Sequence, residues 1–301
     1  MNASVFLLDK VSASTVGVHA YVPETHVSAS IGLGTDRRGT GTIVSADGLI
    51  LTVYYLVMGA KNVMVTLPDG EQRDARIVAQ DYRTGLALLK IDAAKLPYLT
   101  VTSSAACFLG QPVFIVTSLG GDQRCADCGL VSYLGPFDAV WEFLLERSVC
   151  IMTSAMNIGS SGGPICDTLG QVVAVSYLNF ADISRSVLGI PGECFLGARD
   201  ELVKHGRRVT APKAWLGVLS YTLREHVVIA GVMPGGPGEK AGLKQGDVVL
   251  SVDGREISER RALYDALLAH QPGEQINFTV LRNSQVHKLA IPTVGADEYF
   301  S

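Results

Sequence analysis

Ser161 stands in Gly159-Ser160-Ser161-Gly162-Gly163-Pro164, a serine set among glycines in the pattern that surrounds an acyl-transfer nucleophile. Such a hydroxyl attacks a carbonyl only when a neighbouring group takes its proton and later hands it to the leaving group, work that suits an imidazole. The chain has six histidines. His19 and His26 are the two that fall well inside its first part, and His19, within Val16-Gly17-Val18-His19-Ala20-Tyr21, reads as an ordinary strand histidine. His205 lies in a polar segment, and His226, His270 and His287 read as solvent-facing polarity in a later unit. Burial can depress a lysine until it acts as a base; Lys61 and Lys90 are candidates by nearness in the chain alone. Cys166, two residues past Pro164, reads as a buried strand thiol rather than the nucleophile. The backbone at Gly159, Ser160 and Ser161 could present N–H groups to an oxyanion, because glycine allows the dihedrals such a turn demands. A turn kept only for packing is the equal alternative.

The elements that must position this turn are short strands. In 301 residues, 48% of them hydrophobic, Gly 32 exceeds Pro 12 and apolar runs are brief, a composition for many strands joined by tight turns. Gly41–Ser45 and Leu49–Thr52 flank Asp47-Gly48, a hairpin signal. Further runs follow at Asn62–Leu67, Ala75–Ala79, Leu86–Ile91 and Gln171–Tyr177, with another turn at Asp69-Gly70. Antiparallel barrels or sandwiches produce that spacing. Ala198–Lys204 reads as helix, and the polar stretch from His205 to Lys213 breaks the periodicity. The first unit is therefore expected over 1–208, a linker over 209–213, a second unit over 214–295 and a tail over 296–301. In the second unit Val227–Val232, Val248–Val252 and Ile276–Leu281 read as strands. One helix is expected there, with Ser258 as N-cap and Leu263, Ala266 and Leu267 on one face.

A net charge of -4 with no basic run gives no electrostatic reason to expect nucleic acid or an anionic membrane. Polypeptide or small-molecule partners fit better. No stretch approaches the roughly 20 apolar residues of a spanning helix, and the first ten residues lack the features of a secretion signal. Two expectations stay open: a protein of the cell interior, or one whose leader or anchor has been removed. Of the six cysteines, Cys125 and Cys128 form the one close pair; on a strand they point to opposite faces, against a local bridge or a shared metal. No metal and no cofactor is expected.

Several ordered motifs together carry a resemblance: Gly41-Thr42-Ile43-Val44-Ser45-Ala46-Asp47-Gly48-Leu49-Ile50-Leu51-Thr52, then Asp81 through Leu86-Ala87-Leu88-Leu89-Lys90, then Gly159–Pro164, and later Trp215-Leu216-Gly217-Val218 with Gly242–Leu250. The chain resembles the HtrA (DegP/DegS-like) family over nearly its whole length. The resemblance implies a mainly β fold, a trypsin-like double antiparallel β-barrel followed by a small α+β PDZ domain. It also places Tyr55 where the family carries its general-base histidine, in Thr52-Val53-Tyr54-Tyr55-Leu56-Val57, and Gly85 where it carries the orienting aspartate. Ser161 matches the third position. A phenol with a reference pKa near 10 is ionised in about one molecule in a thousand at neutral pH, and removing the serine or histidine of a comparable triad costs on the order of a millionfold. Tyr54 and Tyr55 are expected to narrow the cleft beside Ser161.

PDZ domains add an extended C-terminal peptide as a strand and receive its carboxylate on loop N–H groups. By resemblance, Leu216, Gly217 and Val218 form that loop, and Val218, Leu263 and Leu267 line the pocket for the last side chain; core packing is the bland alternative for the leucines. The expected function is a pseudoprotease that binds polypeptide C-termini as adaptor, regulator or holdase. An endopeptidase with an unrecognised base and a scaffold with an unused groove are the competing readings. The resemblance further implies trimers, or mixed assemblies with an active relative, and an extracytoplasmic place.

Overall fold

A computed structural model describes residues 3–138, 144–153, 159–179, 186–210 and 212–300. Ala211 of the expected linker and Ser301 of the expected tail lie outside them. The described residues form two compact units, one made mostly of residues up to Arg208 and the other mostly of residues from Val209 onward.

The first unit opens with helix α1 (Ala3–Ser12) and strand β1 (Thr15–Tyr21), followed by β2 (Asp36–Ile43) and β3 (Leu49–Val53), the pair joined at Asp47-Gly48 with Ile43 opposite Ile50. A one-turn helix, α2 (Tyr54–Val57), follows β3 directly, and then come β4 (Asn62–Thr66), β5 (Gln72–Asp74), β6 (Arg76–Asp81) and β7 (Leu86–Lys90). These strands make one antiparallel sheet in the order β5-β4-β1-β2-β3-β7-β6. Its two end strands, β5 and β6, are separated in the chain by Ala75 alone, so the sheet curls until its ends meet through a single residue. Val16, Val18, Ile50, Val65 and Leu88 are buried in it.

The second sheet is a closed barrel of β8 (Pro112–Gly120), β9 (Gln123–Asp138), β10 (Leu144–Thr153), β11 (Pro164–Cys166), β12 (Val172–Asn179) and β13 (Ser186–Pro191), in the order β10-β13-β12-β11-β8-β9. Alternation builds its core: Val113 and Ile115 of β8 pack with Val131, Ile151 and Ile165, while Phe114 between them faces out beside Cys128 and Cys166. Two short helices, α3 (Gly192–Leu196) and α4 (Arg199–His205), close the unit. The double barrel expected from the sequence is present. All six cysteines are free thiols. Among the described residues no helix is long and apolar enough to cross a membrane, and no cluster of acidic, histidine or cysteine side chains could hold a metal.

The second unit is a sheet of β14 (Val218–Leu223), β15 (His226–Val232), β16 (Val248–Val252), β17 (Arg255–Glu256), β18 (Gln275–Arg282) and β19 (Gln285–Pro292), with helices α5 (Pro237–Lys240), α6 (Arg260–Leu268) and α7 (Ala296–Tyr299). β14 is an edge strand, paired only with β15. The N-cap of α6 is Glu259 rather than the expected Ser258, and it makes no side-chain cap bond. Its first free N–H, that of Arg260, is taken by Thr222 Oγ1 of β14 at 2.9 Å, so a neighbouring strand supplies the cap. The tail expected after 295 is partly structure: α7 forms there and Phe300 is buried.

The unit is locked by Asp247, whose side chain is wholly buried. Arg282 meets it with two bonds, Nε to Oδ1 at 2.6 Å and Nη2 to Oδ2 at 2.7 Å, and the Lys244 N–H adds a third at 2.9 Å. Burial pushes the Asp247 carboxyl up, but these donors outweigh it and hold the group below its ordinary value. Arg282→Met strands the carboxylate and should cost about 3–5 kcal/mol in urea unfolding near neutral pH. Because the folded pKa is depressed, this contribution exists above the unfolded value of about 4 and disappears as pH falls through the folded one. The gap between variant and wild type should therefore shrink in acid.

Candidate active site and peptide groove

The Ser161 turn is held mostly by one residue of β2. Thr40 N donates to Ser161 O at 2.8 Å, Thr40 Oγ1 donates to Gly159 O at 2.6 Å and accepts from Ser118 N at 2.9 Å, and Thr40 O accepts from Thr52 Oγ1 at 2.7 Å. The turn also joins β12, since Gly162 N donates to Ser176 O at 2.7 Å. Gly162 has φ +87, and a Cβ there would overlap Thr40 O and Thr52 Oγ1, so both dihedral and space demand glycine. Gly159, at φ +91, lies over Ser118 O. The N–H groups of Gly159 and Ser161 meet no acceptor among the described residues.

Tyr55 reaches this turn from α2, which follows β3 without a loop. Its hydroxyl donates to Tyr177 O at 2.8 Å, and Ser161 Oγ donates to the same carbonyl at 3.4 Å. Loss of water around the phenol pushes its pKa up to about 12, against a small opposing pull from Ser161. Tyr55 and Tyr177 meet edge to face at 5.2 Å, and Tyr54 meets Tyr82 in the same way at 5.4 Å. Aromatic rings thus pack side by side where the sequence led us to expect a narrowed cleft.

Arg37 fixes the backbone of α2. It is 5% exposed and gives Nη1 to Tyr55 O at 2.7 Å and to Met58 O at 3.0 Å, Nη2 to Ser28 Oγ at 2.7 Å and Nε to Gly34 O at 3.0 Å. Burial lowers its pKa to about 10. Gly85 meets Ser161 nowhere; it takes φ +83 in the turn between β6 and β7 and accepts from Tyr54 N at 2.8 Å. The buried Asp81, four residues earlier, is paired with Arg208 Nε at 2.8 Å and with Thr84 Oγ1 at 2.6 Å.

No imidazole or amine among the described residues bonds to Ser161. His19 faces Asp36 at 3.0 Å on an exposed sheet surface, and His26 accepts from Ser28 N while its ring covers Gly59. Lys90 is paired with Asp47, and Lys61 is exposed. Cys166 is buried on β11 and its thiol is raised by burial. No pattern along the chain points to Thr40 or Tyr177. Arg37 left one signal, an arginine in phase with the inward-facing Gly39, Gly41 and Ile43 of β2.

In the second unit Leu216, Val218, Leu263 and Leu267 all sit in the core cluster, with Leu263 fully buried. Leu216 O is taken by Gly238 N at 2.9 Å and Gly217 O by Met233 N at 2.7 Å. A trans peptide points its N–H away from its C=O, so the Gly217 N–H faces away from Gly238, and it meets no acceptor among the described residues. Gly217 has φ +68.

Residues 39–175 match the model of the trypsin-like peptidase domain and residues 214–293 that of the PDZ domain. A probable periplasmic serine endoprotease DegP-like of Halomonas elongata is 32% identical over 285 residues, covering 88% of this chain and 58% of that protein. One so named from Chlamydia trachomatis is 30% identical, covering 84% and 53%. Among solved structures, the HtrA-type protease AlgW with tripeptide superposes with TM-score 0.62 at 25% identity, covering 98% of this chain and 97% of that one. The chain belongs to the HtrA family. It spans a little over half the length of these curated HtrA relatives. A serine endoprotease from Yersinia pestis shares the fold at TM-score 0.62 and 24% identity.

Tyr55→Phe tests the buried phenol. A folded pKa raised to about 12 over an unfolded value near 10 supplies stability that is whole below about pH 10 and lost as pH rises through 12. The variant should lose less stability than wild type across that window in thermal melts. Gly85→Asp forces a side chain onto φ +83 and should cost about 1–3 kcal/mol.

Proposed function

We propose that this chain is an HtrA-type pseudoprotease that captures polypeptide C-termini on its PDZ groove without cutting them, as adaptor, regulator or holdase. The observation that carries this reading is the company of Ser161 Oγ: a carbonyl and a phenol whose pKa is pushed up to about 12. At neutral pH about one such phenol in a hundred thousand is ionised. Ser161 donates to a neutral oxygen, and its proton has nowhere to go when a carbonyl is attacked. A millionfold loss corresponds to roughly 8 kcal/mol of transition-state stabilisation, and the free N–H groups of Gly159 and Ser161 return only part of it by stabilising an oxyanion.

Binding is the function left to this frame. β14 offers an open edge to an added strand, and the Leu216–Gly217 turn offers N–H groups whose paired carbonyls are tied elsewhere. Leu216, Gly217 and Val218 are assigned to the carboxylate and Leu263 and Leu267 to the wall behind the last side chain. The names of the relatives support an extracytoplasmic place, and family resemblance supports assembly through the trypsin-like unit as a trimer or with an active relative. The unpartnered Gly159 and Ser161 amides favour a second reading, an endopeptidase with an unfamiliar base.

Incubation of the chain with an unfolded protein substrate and a serine-directed phosphonate separates the two. We expect no cleavage and no labelling above the Ser161→Ala background from pH 6 to 9. Turnover that vanishes in Ser161→Ala would sink the pseudoprotease reading.

A further inference from the structure

We propose that helix α7 is a positioning element of the peptide groove: Tyr299 and Phe300 hold the Trp215 ring against Gly217 and thereby aim the Leu216–Gly217 amides at a peptide carboxylate. This rests on the reading of the second unit as a binder of polypeptide C-termini.

Trp215 stacks on Tyr299 at 4.5 Å between ring centroids and meets Phe300 edge on at 5.4 Å, and Tyr299 and Phe300 touch each other at 4.8 Å. Phe300 is 2% exposed, so α7 is seated in the unit and not laid over it. The far edge of the indole lies 2.7 Å from where a Gly217 Cβ would stand, and Met233 Cβ lies 3.0 Å from the same point. Gly217 is therefore gripped between ring and strand end. The circuit then closes: Met233 N holds Gly217 O, the next residue's carbonyl, Pro234 O, accepts from Tyr299 Oη, and Trp215 is bonded both ways to Val294, at 2.8 and 3.2 Å. Apart from the turn itself, the grip lies on Trp215, Met233–Pro234, Val294 and the segment Ala296–Phe300, whose Tyr299 and Phe300 fall beyond the residues that match the PDZ domain model.

A turn that binds an anion through backbone N–H groups gains from rigidity, because ordering it on binding would cost affinity. The clamp supplies that order in advance. It predicts a loss confined to ligands with a free carboxylate, which a general weakening of the unit would not give.

The test uses the full chain and two pools of peptides with apolar last residues, one with free C-terminal carboxylates and one amidated, read by fluorescence anisotropy. Wild type should prefer the acids. Tyr299→Ala should lose about tenfold in affinity for the acids and little for the amides, while Tyr299→Phe stays near wild type. Hydrogen exchange at Leu216 and Gly217 should quicken in Tyr299→Ala with β18 unchanged; if β18 loosens as well, Tyr299→Leu, which keeps bulk without the aromatic face, replaces it with the same expected outcomes. An acid preference that survives in the folded variant, with exchange at the turn unaltered, overturns the clamp. A wild-type chain that takes neither pool overturns the C-terminus reading instead, and the exchange rates alone then decide the clamp.

Discussion

Thr40 joins the two sheets of the first unit at the point where chemistry would occur. A residue in a strand ordinarily spends its backbone groups on the ladder. Here the N–H and hydroxyl of Thr40 go to the Ser161 turn, its hydroxyl oxygen also accepts from β8, and its carbonyl accepts from β3. All these groups are buried, and each would cost about 1–3 kcal/mol if left unmet. Remove the turn and Thr40 loses two acceptors at once; remove Thr40 and Gly159 and Ser161 lose the donors that fix them. The shape of the Ser161 turn is thus a condition of packing two sheets together, independent of what the hydroxyl does.

That independence explains how a frame persists beside groups unsuited to catalysis. The general base of a serine nucleophile is a single side chain on a short helix, and nothing in the barrel core depends on its identity. On the proposed reading Tyr55 stands in that place, with its hydroxyl bonded to Tyr177 O and its ring against Tyr177, while Arg37 holds the backbone of α2 by its carbonyls. Arg37 would bind those carbonyls whatever side chain residue 55 carried. Gly85 is likewise absorbed into structure, its positive φ and its carbonyl serving the turn under Tyr54.

The short antiparallel strands of the first unit, the second unit and the turn around Ser161 were legible in the sequence because each has a local signature: strands of period two, Asp-Gly turns, glycines flanking a serine; the barrel itself was implied by the family resemblance. What stayed hidden is long-range. Thr40 lies 119 residues from the carbonyl its hydroxyl reaches, and no pattern along the chain announces that bond. The α6 cap was placed on Ser258 from local chemistry, but Thr222 of β14 competes for the same N–H and wins. Val218, Leu263 and Leu267 lie in the core cluster; periodicity finds the inward face of a helix without saying whether a ligand, the protein itself or both meet that face. The segment after residue 295 reads as a tail, yet Phe300 is buried and Tyr299 packs on Trp215, a partner 84 residues earlier in the chain.

The Ser161 turn and the Leu216–Gly217 turn are, on the proposed reading, the same device. In each, glycine with positive φ lets the backbone bend so that carbonyls are tied inward, to Thr40 in one case and to Met233 and Gly238 in the other, while N–H groups meet no acceptor among the described residues. Unpaired donors at a bend are an oxygen-binding feature. Which oxygen they serve depends on what stands opposite. Beside a base they stabilise the oxyanion of an attacked carbonyl; without one they hold a carboxylate or nothing. On that reading the donors are backbone and survive any side-chain substitution that leaves the glycines in place.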